Sequence, residues 1–84
     1  MNIVVQADVP VRVDPNNEET QIWINGGATD IYYSEDYQRL ANTPAGSVPN
    51  GAKLPAGMTV TFPKSKRPLY ARAATQTQIE VIPG

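Results

Sequence analysis

Hydrophobic and polar positions alternate with a period of two along most of this chain, and no long stretch follows the helical period. The clearest stretch is Gln-Ile-Trp-Ile-Asn-Gly-Gly-Ala-Thr-Asp-Ile-Tyr-Tyr-Ser at 21–34. Two runs rich in β-branched and aromatic residues, which favour a pleated, half-buried surface, flank Asn25-Gly26-Gly27. Asn-Gly and Gly-Gly tolerate the positive φ that tight hairpins require. The pattern therefore predicts two antiparallel strands, near 20–25 and 29–34, paired through a short connection at 26–28. Ile22 and Ile24 share one face of the first strand, and Gln21, Trp23 and Asn25 share the other. Ile31 and Tyr33 share one face of the second, and Asp30, Tyr32 and Ser34 the other. The aliphatic faces are expected to meet the core, which turns Trp23 and Tyr32 to the opposite face of the sheet.

Further strands are expected around this pair. Ile3-Val4-Val5 opens one that can run to Ala7. Val9, Val11 and Val13 alternate with Pro10, Arg12 and Asp14, and Pro10, having no N–H to donate, places that strand at an edge or a bulge. Asp14-Pro15-Asn16-Asn17-Glu18-Glu19 has the chemistry of a polar turn. Residues 35–56 break the alternation with three prolines. Ser34 can cap one helical turn over 35–40, with Glu35 and Asp36 in its first turn, and the remainder reads as a long, ordered loop or extended arm. Pro55-Ala56-Gly57 signals a turn, after which Met58, Val60 and Phe62 alternate with Thr59 and Thr61. A basic turn, Pro63-Lys64-Ser65-Lys66-Arg67-Pro68, leads to a strand at 69–73, and 77–82 forms the last. Short strands at this spacing predict an all-β fold: a small antiparallel β-sandwich or barrel of about seven strands with one long loop. The whole of 1–84 is read as a single domain, with a strand or arm at 1–7 and the loop at 35–56.

Composition narrows the chemistry. A chain of 84 residues buries only ~60% of the surface its unfolded form exposes, so its core is thin. It has no Cys and no His, which removes disulfides and any thiolate or imidazole metal site. Association with copies or partners is the expected staple. The net charge of −1 provides no broad basic field, so neither nucleic acid nor an anionic membrane is an expected partner. No apolar run approaches the ~20 residues of a membrane helix. Met1-Asn2-Ile3-Val4-Val5-Gln6 lacks the pattern of a secretory leader, so synthesis in a cytoplasm is expected.

Catalysis is not expected. The chain has no Gly-x-Ser-x-Gly and no phosphate-binding loop, and Ser34, Ser47 and Ser65 have no imidazole base. Cofactors and metals are likewise not expected: the acidic turn at 14–19 carries oxygen ligands, but its spacing matches no calcium loop and reads as a solvated turn. Lys64, Lys66 and Arg67, with Arg72 near them in sequence, form a basic tip that either solubilises a hairpin or docks an acidic partner. Trp23, Tyr32, Tyr37 and Tyr70 either cover the thin core or line an interface, where aromatic rings with a polar handle are favoured. Arg39, inside the long loop, joins them as an interface candidate.

One order of pieces is familiar. Ile22-Trp23-Ile24-Asn25-Gly26 leads to Asp30-Ile31-Tyr32-Tyr33, then Gly51-Ala52-Lys53-Leu54-Pro55-Ala56-Gly57, Thr59-Val60-Thr61-Phe62, Pro68-Leu69-Tyr70-Ala71 and Ile79-Glu80-Val81-Ile82. Across about 21–82 this resembles the small all-β virion proteins of tailed bacteriophages, which recur as head decoration, head-fibre or tail-associated domains. The resemblance implies a virion structural protein that binds and stabilises the assembled head shell. Its partners would be the major capsid protein and copies of itself, as a homo-oligomer with a trimer favoured. The segments 36–56 and 1–7 are the expected reach toward a neighbour. The other readings are a tail or neck component, and a surface-displayed host- or glycan-binding module with Trp23 and Tyr32 as its stacking platform.

Overall fold

The computed structural model describes residues 2–13, 20–64 and 67–83. Eight strands occur in the order β1 (Asn2–Val5), β2 (Val11–Arg12), β3 (Gln21–Asn25), β4 (Ile31–Ser34), β5 (Ala52–Leu54), β6 (Thr59–Phe62), β7 (Tyr70–Ala73) and β8 (Thr77–Pro83), with one short helix, α1 (Tyr37–Ala41), between β4 and β5. They build two four-stranded sheets, sheet A in the order β1-β8-β3-β6 and sheet B in the order β2-β7-β4-β5. All the ladders are antiparallel. This is the expected small all-β sandwich, with one strand more than the alternation predicts. The additional strand is β5, which lies inside the segment read as a loop and pairs Leu54 with Ile31 and Ala52 with Tyr33. Pro10 does precede an edge strand, β2. The segment 1–7 is tied down rather than free: β1 pairs with β8, and Ala7 bridges to Ala73.

The predicted hairpin does not form. β3 lies between β8 and β6, β4 lies between β7 and β5, and the chain crosses from one sheet to the other over 26–30. Asn25 holds this arch. Its buried Nδ2 donates to the Thr29 carbonyl at 2.9 Å and the Leu54 carbonyl at 3.0 Å, while its Oδ1 accepts from the Gly27 N–H at 3.2 Å. An amide that satisfies three backbone groups away from water costs little to bury and much to remove. Gly27 is required for a different reason: a Cβ there would lie 1.8 Å from Thr77 Oγ1. The Asn-Gly-Gly signature thus serves an arch between sheets rather than a turn within one.

The same arch inverts the predicted faces of β3. Trp23 is 0% exposed and sits between the sheets, and Ile22 and Ile24 turn outward. The indole meets the Phe62 ring at 4.5 Å and the Tyr33 ring edge-on at 5.9 Å, and Tyr33 and Phe62 pack edge-to-face at 5.1 Å. Its Nε1–H donates to the Gln21 side-chain oxygen at 3.3 Å, so the polar handle is not stranded. An aromatic ring of this size buries about 150–250 Å², and at roughly 25 cal/mol per Å² that outweighs what two half-buried isoleucines forgo. Two inward positions of the facing sheet are alanines, Ala71 and Ala73, which leaves volume for the ring. On β4 the predicted faces hold: Ile31 is fully buried and Tyr33 packs against the core.

Residues 35–56 are not an outstretched arm. They fold back on the outer face of sheet B, where α1 packs against β4 and β7. Asp36, not Ser34, caps α1 by accepting from the Gln38 N–H at 2.9 Å, and Ser34 accepts from the Asp36 N–H one step earlier. Leu40 and Leu54 are buried. Gly51 permits the close approach, since a Cβ there would lie 2.6 Å from the Tyr33 carbonyl oxygen and 3.1 Å from Leu40 Cδ2. Arg72, 2% exposed, is the tie between these pieces and not part of a basic tip. From the outer face of β7 its guanidinium donates to the Leu40 and Thr43 carbonyls, at the C-terminal end of α1, and pairs with Asp8 at 3.4 Å. A cation there complements the partial negative charge of the helix end and fills its unpaired carbonyls.

Candidate functional site

Among the described residues, the outer face of sheet B is shielded and that of sheet A is not. Beside the cover over sheet B, its edges are blunt: β2 has two residues and follows Pro10, and β5 has three residues, contains Lys53 and precedes Pro55. Charged side chains and proline are the usual protection of a sheet edge. Sheet A has edge strands β1 and β6, neither of which carries a charge.

The outer face of sheet A is set by its register. One cross-strand row runs Asn2, Glu80, Ile24, Thr59, and the next runs Ile82, Ile22, Thr61. Ile22 and Ile24 are half-buried, Thr59 and Thr61 are exposed, and Ile82 and Val4 are 36% and 44% exposed. The result is a face of mostly β-branched side chains in which Glu80, near the middle, is the one ionisable group among the described residues. Glu80 is exposed and forms no ion pair among the described residues. Beyond Glu80 the face ends in a shallow polar notch of about 410 Å³, rimmed by Asn2, Gln78, Gln76 and the arch residues Gly26 and Ala28.

The residues singled out from the sequence lie elsewhere. Trp23 is in the core. Tyr32 is half-buried on the outer face of sheet B, in register with Arg72 on one side and Lys53 on the other. Tyr37 and Tyr70 meet there edge-to-face at 5.4 Å. Arg39 and Arg67 come together along an open groove of about 500 Å³ that also includes Glu35 and Asp36. Both are paired: Arg67 with Glu35 at 3.1 Å and Arg39 with Asp36 at 3.9 Å. These pairs are solvent-exposed and contribute little. Lys64 is exposed beyond the end of β6, and Lys66 and the acidic turn at 14–19 lie outside the described residues. Among the described residues no three acidic side chains come together as metal ligands, and no helix is long and apolar enough to cross a membrane.

Sequence reasoning missed the sheet A face because it assigned Ile22 and Ile24 to the core. The signal that could have found it is the final strand. Thr77, Ile79 and Val81 share one face of β8, and Gln78, Glu80 and Ile82 share the other. Glu80 is costly to bury, so it marks its own face as the outer one and carries Ile82 with it. Comparison with protein-family models, with characterised proteins and with solved structures returns no match. The site is therefore read from its chemistry: a largely aliphatic face whose edge strands carry no charge suits protein contact.

Proposed function

We propose that this chain is a structural accessory protein that docks on an assembled protein shell, and that the shell is the head of a tailed bacteriophage, which the chain decorates. The observation that carries the docking reading is the inequality of the two outer faces among the described residues, one covered by α1 and the segment after it and one with its aliphatic side chains uncovered. Uncovered aliphatic side chains grouped on one sheet face are where association would bury apolar surface. The bacteriophage head as the location is supported by the resemblance across 21–82. The mechanism is linkage: a protein that binds the assembled shell and not its dissociated subunits stabilises the assembly by mass action. The major capsid protein is the partner this reading assigns.

The test is to add purified protein to undecorated shells assembled from the major capsid protein of the virus that encodes it. Sedimentation with the shells and a higher temperature of shell disruption are expected; shells that neither retain the protein nor gain heat resistance would overturn the reading. A tail or neck position uses the same kind of face, and sedimentation with purified tails instead of heads would reveal it. The glycan-binding alternative has lost its platform, because Trp23 is enclosed and Tyr32 belongs to the other sheet.

A further inference from the structure

We infer that the outer face of sheet A is the docking face, and that its occupant is a protein surface presenting one lysine or arginine inside an apolar patch. This inference rests on the docking function proposed above and specifies where and by what chemistry docking occurs.

Three observations select that occupant. Glu80 is the one ionisable group on the face, and it has no cation beside it among the described residues. Its cross-strand neighbours are Asn2 and Ile24, so a partner that covers Ile24 also strips water from the carboxylate. A buried carboxylate without a counter-charge is costly, so a partner must bring a cation. The notch next to Glu80 has Asn2, Gln76 and Gln78 in its lining, residues whose amide oxygens can accept from an ammonium or guanidinium group. The carboxylate also argues against an anionic lipid or nucleic-acid surface. The isoleucines and threonines offer no aromatic plane for a sugar.

A second copy of this chain fits less well. Glu80 lies in the middle row, on an inner strand of the sheet. A two-fold axis through the centre of the face would bring one Glu80 close to another, and like charges held together oppose association. The face is also small. Four strands spaced about 4.8 Å apart and about five residues long cover roughly 300 Å² in projection, so this face alone seats a small contact. A face of that size gives weak single contacts, which suits a partner arrayed in many copies.

The experiment measures retention on undecorated shells of the encoding virus's major capsid protein. It compares the intact protein, Glu80→Lys and Ile24→Thr on sheet A, and Tyr37→Ala on sheet B as a control, each first checked for native circular dichroism. Light scattering on the protein alone accompanies it. The expected result is at least about tenfold weaker retention for Glu80→Lys, a smaller loss for Ile24→Thr, and no change for Tyr37→Ala. Retention unaffected by Glu80→Lys but lost with Tyr37→Ala would overturn the face assignment and leave the decoration reading standing. No retention of the intact protein would overturn both. A concentration-dependent dimer that is tightened by Glu80→Gln and broken by Ile24→Thr would assign the face to a second copy and overturn the inference.

Discussion

Sheets A and B have the same number of strands and share one core, yet they solve the problem of their outer surface in opposite ways. On sheet B, Arg72, Leu40 and the residues after α1 form a lid held by buried hydrogen bonds, and the edges are short or charged. On sheet A, nothing among the described residues covers Ile22, Ile24 and Ile82, and the edge strands β1 and β6 carry no charge. The difference separates two uses of a thin sandwich. One sheet converts polar hydrogen bonds into internal stability. The other leaves its aliphatic side chains in contact with water among the described residues.

Substitutions can break this contrast in graded steps. The largest effect is expected from Trp23→Ala, which removes the ring both sheets share; urea denaturation should show a loss of about 3–5 kcal/mol, and a loss under about 1 kcal/mol would place the indole outside the core. Arg72→Met should cost about 3 kcal/mol, somewhat reduced because Asp8 is one-third exposed to solvent. Hydrogen exchange should then show α1 opening while the β3 and β8 amides stay protected; uniform loss of protection would mean that the lid is not a separate unit. Asn25→Ala leaves the Thr29 and Leu54 carbonyls and the Gly27 N–H without their partner, and should cost about 2 kcal/mol in the same denaturation experiment. Gly51→Ala forces a methyl toward the Tyr33 carbonyl, a crowding cost of about 1–2 kcal/mol that thermal unfolding would register. The smallest effect belongs to Ile82→Thr on the open face, where a stability change within about 0.5 kcal/mol is expected. A large loss there would mean that the outer face of sheet A supports the fold rather than facing a partner.

Much of the architecture was legible in the alternation of residues. β1, β3, β4, β6, β7 and β8 fall where period-two runs predict them, and Pro10 announces an edge. Two features were not legible, for physical reasons. Asn-Gly-Gly permits a hairpin, but nothing local to it declares that the Asn25 amide will reach the Leu54 carbonyl, far along the chain. Strand faces were assigned by treating aliphatic residues as inner ones, whereas Trp23 and Asn25 share a face that is inner because the amide is fully hydrogen-bonded and the ring is large. That one inversion exchanged the core for the candidate site. Arg72 was misplaced for a similar reason: an arginine near other basic residues in sequence reads as surface, and only the fold brings the helix-end carbonyls and Asp8 to it.

The arch at Asn25 also bears on how the chain reaches its folded state. Because β3 does not turn back on β4, its partners are β6 and β8, and β1 too must wait for β8. Pairing in sheet A is therefore almost wholly non-local, the condition under which loop-closure entropy slows folding. A chain emerging from the ribosome would hold β3 without a sheet partner until β6 is made, and β1, with its isoleucine and valines, until β8 is made. The strand that carries Glu80 is thus also the one that closes the sheet: deleting it would orphan β1 and leave β3 paired with β6 alone.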